Sequence, residues 1–532
     1  MVDCLILGGT IVDGTGRPPY RSDLAIDGDR IQILRDAAIP QAKRIVPAEG
    51  LAVAPGFIDI HSHNDLVAVM GARLNDKVSQ GVTTEIFGNC GFSAFPVTSR
   101  NAHLTPDLTS LIAPRKLDVE QGVGWPDWAS FRAAVLDAGC QANVVGQVGH
   151  MMLRSAVMGM ALRLPTAEEL TEMEVLLARC LKQGASGLSF GLMYHPSSYA
   201  EEAEIQSLCQ VAAEHDAVVS VHLRGYDVST LISSMGELIS IAETTGVRLQ
   251  LSHLSPTGRD AQGLAEIMLD AIDRAISRGI DVALDRYPYE QGMSRLGLIF
   301  PKWVVSGGSE EMLRRLSSDT EIARMTPEID SFVRPIGYDQ IVINRNCEPE
   351  LIGKSILDIS EIMGIAPAAA AARVMRDSEG LAGIVLTLST MATQRRVIQH
   401  CLCMVGSDGM PSLDGTHPRT FGTFPRVLGP FVRSGILSIE EAIAKMTSLP
   451  ARRFGLQERG EIKDGFIADL VLFDPAVIAD ESTFEEPYRL ASGIHEVIVA
   501  GKSVHRNGEN LDVLPGTVLT GRVSRATGHD IH

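Results

Sequence analysis

Gly56-Phe57-Ile58-Asp59-Ile60-His61-Ser62-His63 is the stretch on which the fold turns. A short, mostly apolar run bounded by glycine reads as a buried strand, Phe57–Ile60. It ends in two histidines two residues apart, which an extended chain places on one side. Working outward, seven further runs have the same texture. They are Val82–Phe87, Asn143–Val148, Gly187–Phe190, Val218–Val221, Leu249–Ser252, Asp281–Leu284 and Leu402–Gly406. Helical patterns such as Ala167–Gln183 and Ala261–Arg278 lie between them. Eight βα units predict an α/β protein built on a (β/α)8 TIM barrel, with reactive groups at the C-terminal ends of the strands.

The stretch from Asp285 to Leu402 is too long for one βα connection, since roughly 250 residues usually serve a whole barrel. It predicts an inserted lid subdomain over about 286–350, because long insertions at that face often close over a site. The first fifty residues alternate short apolar runs with Asp27-Gly28 and similar turns, a hairpin pattern. That texture returns in Ala468–Phe473 and Val497–Lys502. The two chain ends therefore predict one small β-sandwich domain, residues 1–55 with 460–510, around a barrel domain at 56–459. Residues 511–532 read as an extended C-terminal tail.

With 532 residues, 45% hydrophobic and 21% charged, the chain has enough apolar material for a large core. Its 47 basic and 65 acidic residues give a formal charge of −18. Such a surface repels phosphates, which argues against nucleic acid and anionic lipid as partners and leaves a small-molecule substrate. Eight scattered cysteines (4, 90, 140, 180, 209, 347, 401 and 403) read as reduced thiols. Met1-Val2-Asp3-Cys4 is no signal-peptide start, and no window is apolar enough to span a bilayer, so a cytoplasmic location is expected.

Polar residues stand where the strands end: His61 and His63, Cys90, His222, His253 and Asp408. A lone histidine after a strand is more often structural, and a lone cysteine more often core. Five separate strand ends agreeing is a different matter. Four imidazoles, a thiol and a carboxylate form a set suited to zinc, with room for two ions bridged by Cys90 or for one tight ion and a weak neighbour. His103, His195, His215, His400, His495 and His505 lack such placement.

The same residues resemble a known family. Gly56 to His63 looks like the opening metal motif of the amidohydrolase superfamily. Gly81-Val82-Thr83-Thr84 with Gly88-Asn89-Cys90-Gly91 resembles, more narrowly, the N-acyl-D-amino-acid deacylases (D-aminoacylases), in which a cysteine bridges the metals. Gly191-Leu192-Met193-Tyr194, Ser252-His253, Tyr287-Pro288-Tyr289, Gly406-Ser407-Asp408-Gly409 and His417-Pro418-Arg419 continue the match. Strand four has no lysine to carboxylate, unlike hydantoinase-like relatives, and His222-Leu223-Arg224-Gly225 lacks the glutamate of the deaminases.

The resemblance implies a zinc-dependent hydrolase of N-acyl-D-amino acids. His61 and His63 would hold one metal position with Asp408 beside it, and Cys90, His222 and His253 the tighter one. Asp408 would be the general base and then acid. Arg419 matches the family's carboxylate-binding arginine, Tyr287 a tyrosine at the carboxylate, and Tyr194 one near the pocket. Two departures bear on substrate. Ser255 stands where the family has a carboxylate-binding lysine, and Gly149 to Met152 carries two methionines where relatives have small residues. Ser255 keeps a second possibility open, hydrolysis of another amide, carbamate or cyclic amide. A silent scaffold would be expected to have lost ligands.

Overall fold

The computed structural model describes residues 1–35, 39–70, 76–109, 112, 124–259, 261, 263–412 and 415–521. Eight parallel strands follow one another around the barrel in chain order: Phe57–Asp59, Val82–Phe87, Asn143–Gly149, Gly187–Gly191, Val218–His222, Arg248–Leu251, Val282–Arg286 and Cys403–Val405. All but Arg248 are buried, as expected of strands with side chains inside and helices outside. Between the first and last strands, Asp408 N donates to His61 O at 2.8 Å and His63 N to Gly409 O at 3.2 Å. These bonds nearly complete the ring at its C-terminal rim.

The surrounding helices follow from local chemistry. Helix Ala167–Lys182 begins at a Thr166–Glu169 capping box and ends with Arg179 and Lys182 in its last turn, complementing the helix dipole. Helix Leu264–Ser277 buries Met268, Leu269, Ile272 and Ala275 along one stripe.

The chain ends interleave in two facing sheets. One has four strands, Arg30–Leu34, Asp23–Asp27, Val2–Leu7 and Ala42–Pro47. The other has seven, running from Glu509–Asn510 through Leu470–Phe473 and Ala52–Pro55 to Tyr20–Arg21. Strand Leu470–Phe473 joins this sandwich to the barrel by alternation. Leu470 and Leu472 enter the sandwich core, whereas Val471 and Phe473 enter the barrel's outer core.

The insertion after strand seven has its own core, including Leu296, Ile299, Met325, Ile329, Ile343 and Ile384. Its antiparallel sheet is ordered Gln291–Arg295, Gly383–Thr387, Ile341–Arg345. The unit thus runs past the expected end near 350, because its central strand is the last one in sequence. Of the expected tail, residues 513–521 lie along the start of the third barrel strand, with Val144 N donating to Thr517 O and Leu519 N to Val144 O. Residues 522–532 lie outside the described residues. Among the described residues, no helix is long and apolar enough to cross a membrane.

Candidate metal centre and substrate cavity

The six strand-end residues converge at the C-terminal mouth. Side-chain atoms of His61, His63, Cys90 and Asp408 lie within 4.8 Å of one another, as do those of Cys90, His222 and His253. Cys90 belongs to both groups. Its Sγ is 3.3 Å from His61 Nε2 and 3.3 Å from His253 Nε2, and His222 Nδ1 is 2.9 Å from His253 Nε2. Asp408 Oδ1 stands 3.0 Å from His63 Nε2 and 3.4 Å from His61 Nε2. All six are buried.

The backbone is shaped for this convergence. Cys90, His253 and Asp408 have φ of 53°, 36° and 48°, the left-handed region that side-chain-bearing residues rarely adopt. Each such residue stores on the order of 1–3 kcal/mol of strain, a feature concentrated at functional sites. The loop carrying Cys90 dips onto strands three and four because these strands end in glycine. A Cβ on Gly191 would sit 2.0 Å from Cys90 O, and one on Gly149 would sit 2.5 Å from Gly91 O.

A second layer of polar groups orients the first. Asp285 Oδ1 is 3.1 Å from His61 Nδ1 and accepts from His253 N at 2.8 Å, while its other oxygen accepts from Gln250 at 2.9 Å. Asp59 accepts from Ser407 N and Oγ at 2.8 and 2.6 Å and from Lys77 Nζ at 2.8 Å, tying the Asp408 loop to strand one. Tyr226 Oη accepts from Leu223 N at 2.9 Å and lies 3.3 Å from His253 Nδ1. The sequence reading missed all three. A carboxylate at the buried end of strand seven was the available signal for Asp285.

The electrostatics match a metal-ligand set. Burial lowers His222 to about 3 and holds His253 well below the usual histidine range, so both are neutral imidazoles. Burial pushes the Cys90 thiol up to about 11 against the opposing pull of His61, so a thiolate here calls for a positive partner. Burial alone would raise Asp408, yet the Arg419 guanidinium and the His63 hydrogen bond hold it well below the usual carboxylate range. Asp408 is therefore ionised at neutral pH. Four convergent imidazoles and a thiol, with the outer nitrogens of His61 and His253 met by Asp285 and Tyr226, fit a zinc site.

A cavity of about 540 Å³ lies over the cluster, between barrel and insertion. Arg419, Tyr287, Tyr194 and Ser255 all line it. Arg419 Nη2 is 2.8 Å from Asp408 Oδ2, and its guanidinium lies 4.4 Å over the Tyr287 ring, whose plane also carries Arg286 at 3.9 Å. Arg419 Nε is buried without a partner among the described residues. Tyr194 packs 4.8 Å from the His222 ring. The Ser255 hydroxyl is 3.2 Å from Ser389 Oγ and accepts from Gln394 at 3.3 Å, so Ser255 itself brings no charge, and the nearest cation is Arg286, which donates to the same Gln394.

A parallel barrel with a histidine-rich metal cluster at its C-terminal rim defines a class of metal-dependent hydrolases, and known proteins match it. The model of the amidohydrolase family matches residues 44–290 and 403–505. The chain is 35% identical to N-acyl-D-glutamate deacylase of Alcaligenes xylosoxydans xylosoxydans over 94% of its own length and 93% of the relative's. The crystal structure of N-acyl-D-glutamate deacylase from Bordetella bronchiseptica, complexed with zinc and a phosphonate mimic of the tetrahedral intermediate, superposes with a TM-score of 0.83. That pair is 35% identical and covers 98% of this chain and 99% of the other. D-aminoacylase, described with a binuclear metal centre, one-metal activation and second-metal attenuation, gives a TM-score of 0.82 at 31% identity, covering 98% and 100%. The chain belongs to the amidohydrolase family and, within it, to the N-acyl-D-amino-acid deacylase (D-aminoacylase) family. It is a hydrolase of carbon–nitrogen bonds.

Proposed function

We propose that the protein hydrolyses the amide bond of N-acyl-D-amino acids in a zinc-dependent reaction, releasing a carboxylate and a free D-amino acid. The observation that carries this reading is the placement of Asp408, in contact with both the metal-binding cluster and the arginine expected to hold the substrate's carboxylate. His61 and His63 hold one metal position beside Asp408. Cys90, His222 and His253 hold the other, tighter one, since thiolate binds zinc strongly. When bound, zinc supplies Lewis acidity, polarising the amide carbonyl and making water more acidic.

This chain's residues do the rest. Asp408, ionised by its Arg419 and His63 contacts, takes a proton from the attacking water and passes it to the leaving nitrogen. Arg419 keeps Nε available for the α-carboxylate, and the Tyr287 ring fixes the guanidinium plane. Asp285 fixes His61 and the His253 backbone, and burial under the insertion keeps bulk water away. Ser255 brings no cation of its own, which favours a second reading, an amide, carbamate or cyclic amide lacking a free carboxylate. Zinc-loaded enzyme is assayed for amine release from matched N-acetyl-D- and N-acetyl-L-amino acids. Turnover confined to the D series supports the deacylase; no turnover in either series refutes it and favours the second reading.

A further inference from the structure

Gln147, Ser189 and Ser220, on strands three, four and five, are buried polar side chains that belong to neither metal-ligand group and do not line the cavity. Alternation places them inside the barrel. Val145 and Val218 lie in its inner core, whereas Val148, Leu188 and Val219 pack outward, so Gln147, Ser189 and Ser220 fall on the inner face. Barrels ordinarily fill such positions with bulky branched side chains. A buried polar group there needs a partner.

Their hydrogen bonds converge on one loop. Ser189 Oγ donates to Gly88 O and accepts from Gly91 N at 2.9 Å, so a single hydroxyl holds the backbone on both sides of Cys90. Behind it, Ser220 Oγ donates to Gln147 Oε1 at 2.9 Å, Gln147 Nε2 to Asn89 Oδ1 at 3.0 Å, and Asn89 Nδ2 to Ile86 O at 2.9 Å. The loop lies flat on the strands beneath it. A Cβ on Gly88 would meet Gln147 O at 2.3 Å, and one on Gly91 would meet Gly191 N at 2.7 Å. These contacts hold Cys90 at φ 53°, a conformation that a side-chain-bearing residue keeps only where its surroundings enforce it.

Cys90 is the residue common to the two ligand groups, with Sγ 3.3 Å from His61 Nε2 and 3.3 Å from His253 Nε2. We infer that Ser189, with the Asn89–Gln147–Ser220 chain, positions the Cys90 sulfur midway between the two groups and so sets whether the enzyme holds a second metal ion. The inference rests on the metal assignments of the proposed reading and not on its substrate. Ser189 is a positioning residue, acting through the backbone of the ligand it frames. A loop released from this clamp relaxes, and Sγ moves toward one group and away from the other. The tighter ion then keeps Cys90, His222 and His253, while the second is left with His61, His63 and Asp408.

The test uses Co2+ in place of zinc, because a thiolate bound to it gives a charge-transfer absorption. Equilibrium dialysis gives the first and second dissociation constants, and a titration follows the band. In wild-type enzyme the band changes at both equivalents. In Ser189→Ala the ratio of second to first dissociation constant is expected to rise about 10–100-fold, the usual cost of losing an outer partner of a metal ligand, and the band changes at the first equivalent alone. Gln147→Leu cuts the chain from the other side, should move the ratio the same way, and replaces Ser189→Ala if that variant folds poorly. Ser186→Ala is the control. Its hydroxyl donates to Gly146 O at 2.9 Å just before strand four, so its loss lowers the melting temperature and leaves the ratio alone. An unchanged ratio and band in Ser189→Ala, an equal fall in both affinities, or an equal shift in Ser186→Ala overturns the inference. Wild-type enzyme that binds a single Co2+, or shows no thiolate band, overturns it as well. Amine release from N-acetyl-D-amino acids is scored separately. Turnover with unchanged metal binding in Ser189→Ala removes the clamp and keeps the deacylase; a raised ratio without wild-type turnover keeps the clamp and removes the deacylase.

Discussion

Asp285→Asn isolates the role of the carboxylate behind the metal cluster. The substitution keeps the side chain's shape but removes its charge and turns an amide NH2 toward one of three donors: the His61 ring, the His253 backbone or Gln250. An asparagine oxygen in the Oδ1 place still serves both the His253 N–H and the His61 ring, so the Gln250 contact is lost and the bond to His61 loses its charge assistance. A hydrogen bond to a charged group contributes about 1.5–3 kcal/mol, or roughly 10–100-fold in an equilibrium constant. That range coincides with the usual cost of losing an outer partner of a metal-binding histidine. Zinc affinity, measured by competition with a chromogenic chelator, should fall by that factor, with kcat at saturating zinc falling less. His61 would keep an acceptor for Nδ1 but a weaker one, while His222 and the Cys90 thiol keep their places. Unchanged zinc affinity with normal folding would refute the orienting role of Asp285.

Two further substitutions test the substrate end. Arg419→Ala should raise KM for carboxylate-bearing substrates about 10–100-fold while moving KM of neutral amides far less; kcat falls for both, because Asp408 loses its ion-pair partner. Equal KM effects on the two substrate types would remove Arg419 from carboxylate recognition. Ser255→Lys adds an ammonium to the corner of the cavity near Arg286 and should lower KM for N-acyl-amino acids several-fold, as read from initial rates. A higher KM would show that the corner holds something other than the carboxylate.

The barrel was legible because its strands are buried on both faces and read as short, mostly apolar runs; expected and observed ends differ by at most two residues. The His61–His63 pair and the strand-end histidines were legible for the same reason, since strand ends fix where the next side chains point. Cys90 was different. As a lone cysteine it looks like core; its place just past strand Val82–Phe87 and the pattern Gly88-Asn89-Cys90-Gly91 marked it. The left-handed conformations of Cys90, His253 and Asp408 leave no trace in residue type. Asp59 lay inside the deciding motif but was read as strand, because its partners Lys77 and Ser407 come from distant segments. The insertion's true extent was hidden likewise, since strand Gly383–Thr387 sits between two partners that precede it in the chain.

The interleaving of the chain ends sets a schedule for biosynthesis. Strand Ala52–Pro55 leaves the ribosome early, yet its neighbour Leu470–Phe473 follows only after roughly 400 more residues, about 20–80 s at ~5–20 residues per second. During that interval the nascent sandwich half presents an unpaired apolar edge, the kind of surface that recruits other chains. The barrel beside it also lacks the cover of Val471 and Phe473. Shielding of this early edge during translation is therefore expected to limit recombinant yield, and added holdase chaperone should raise it.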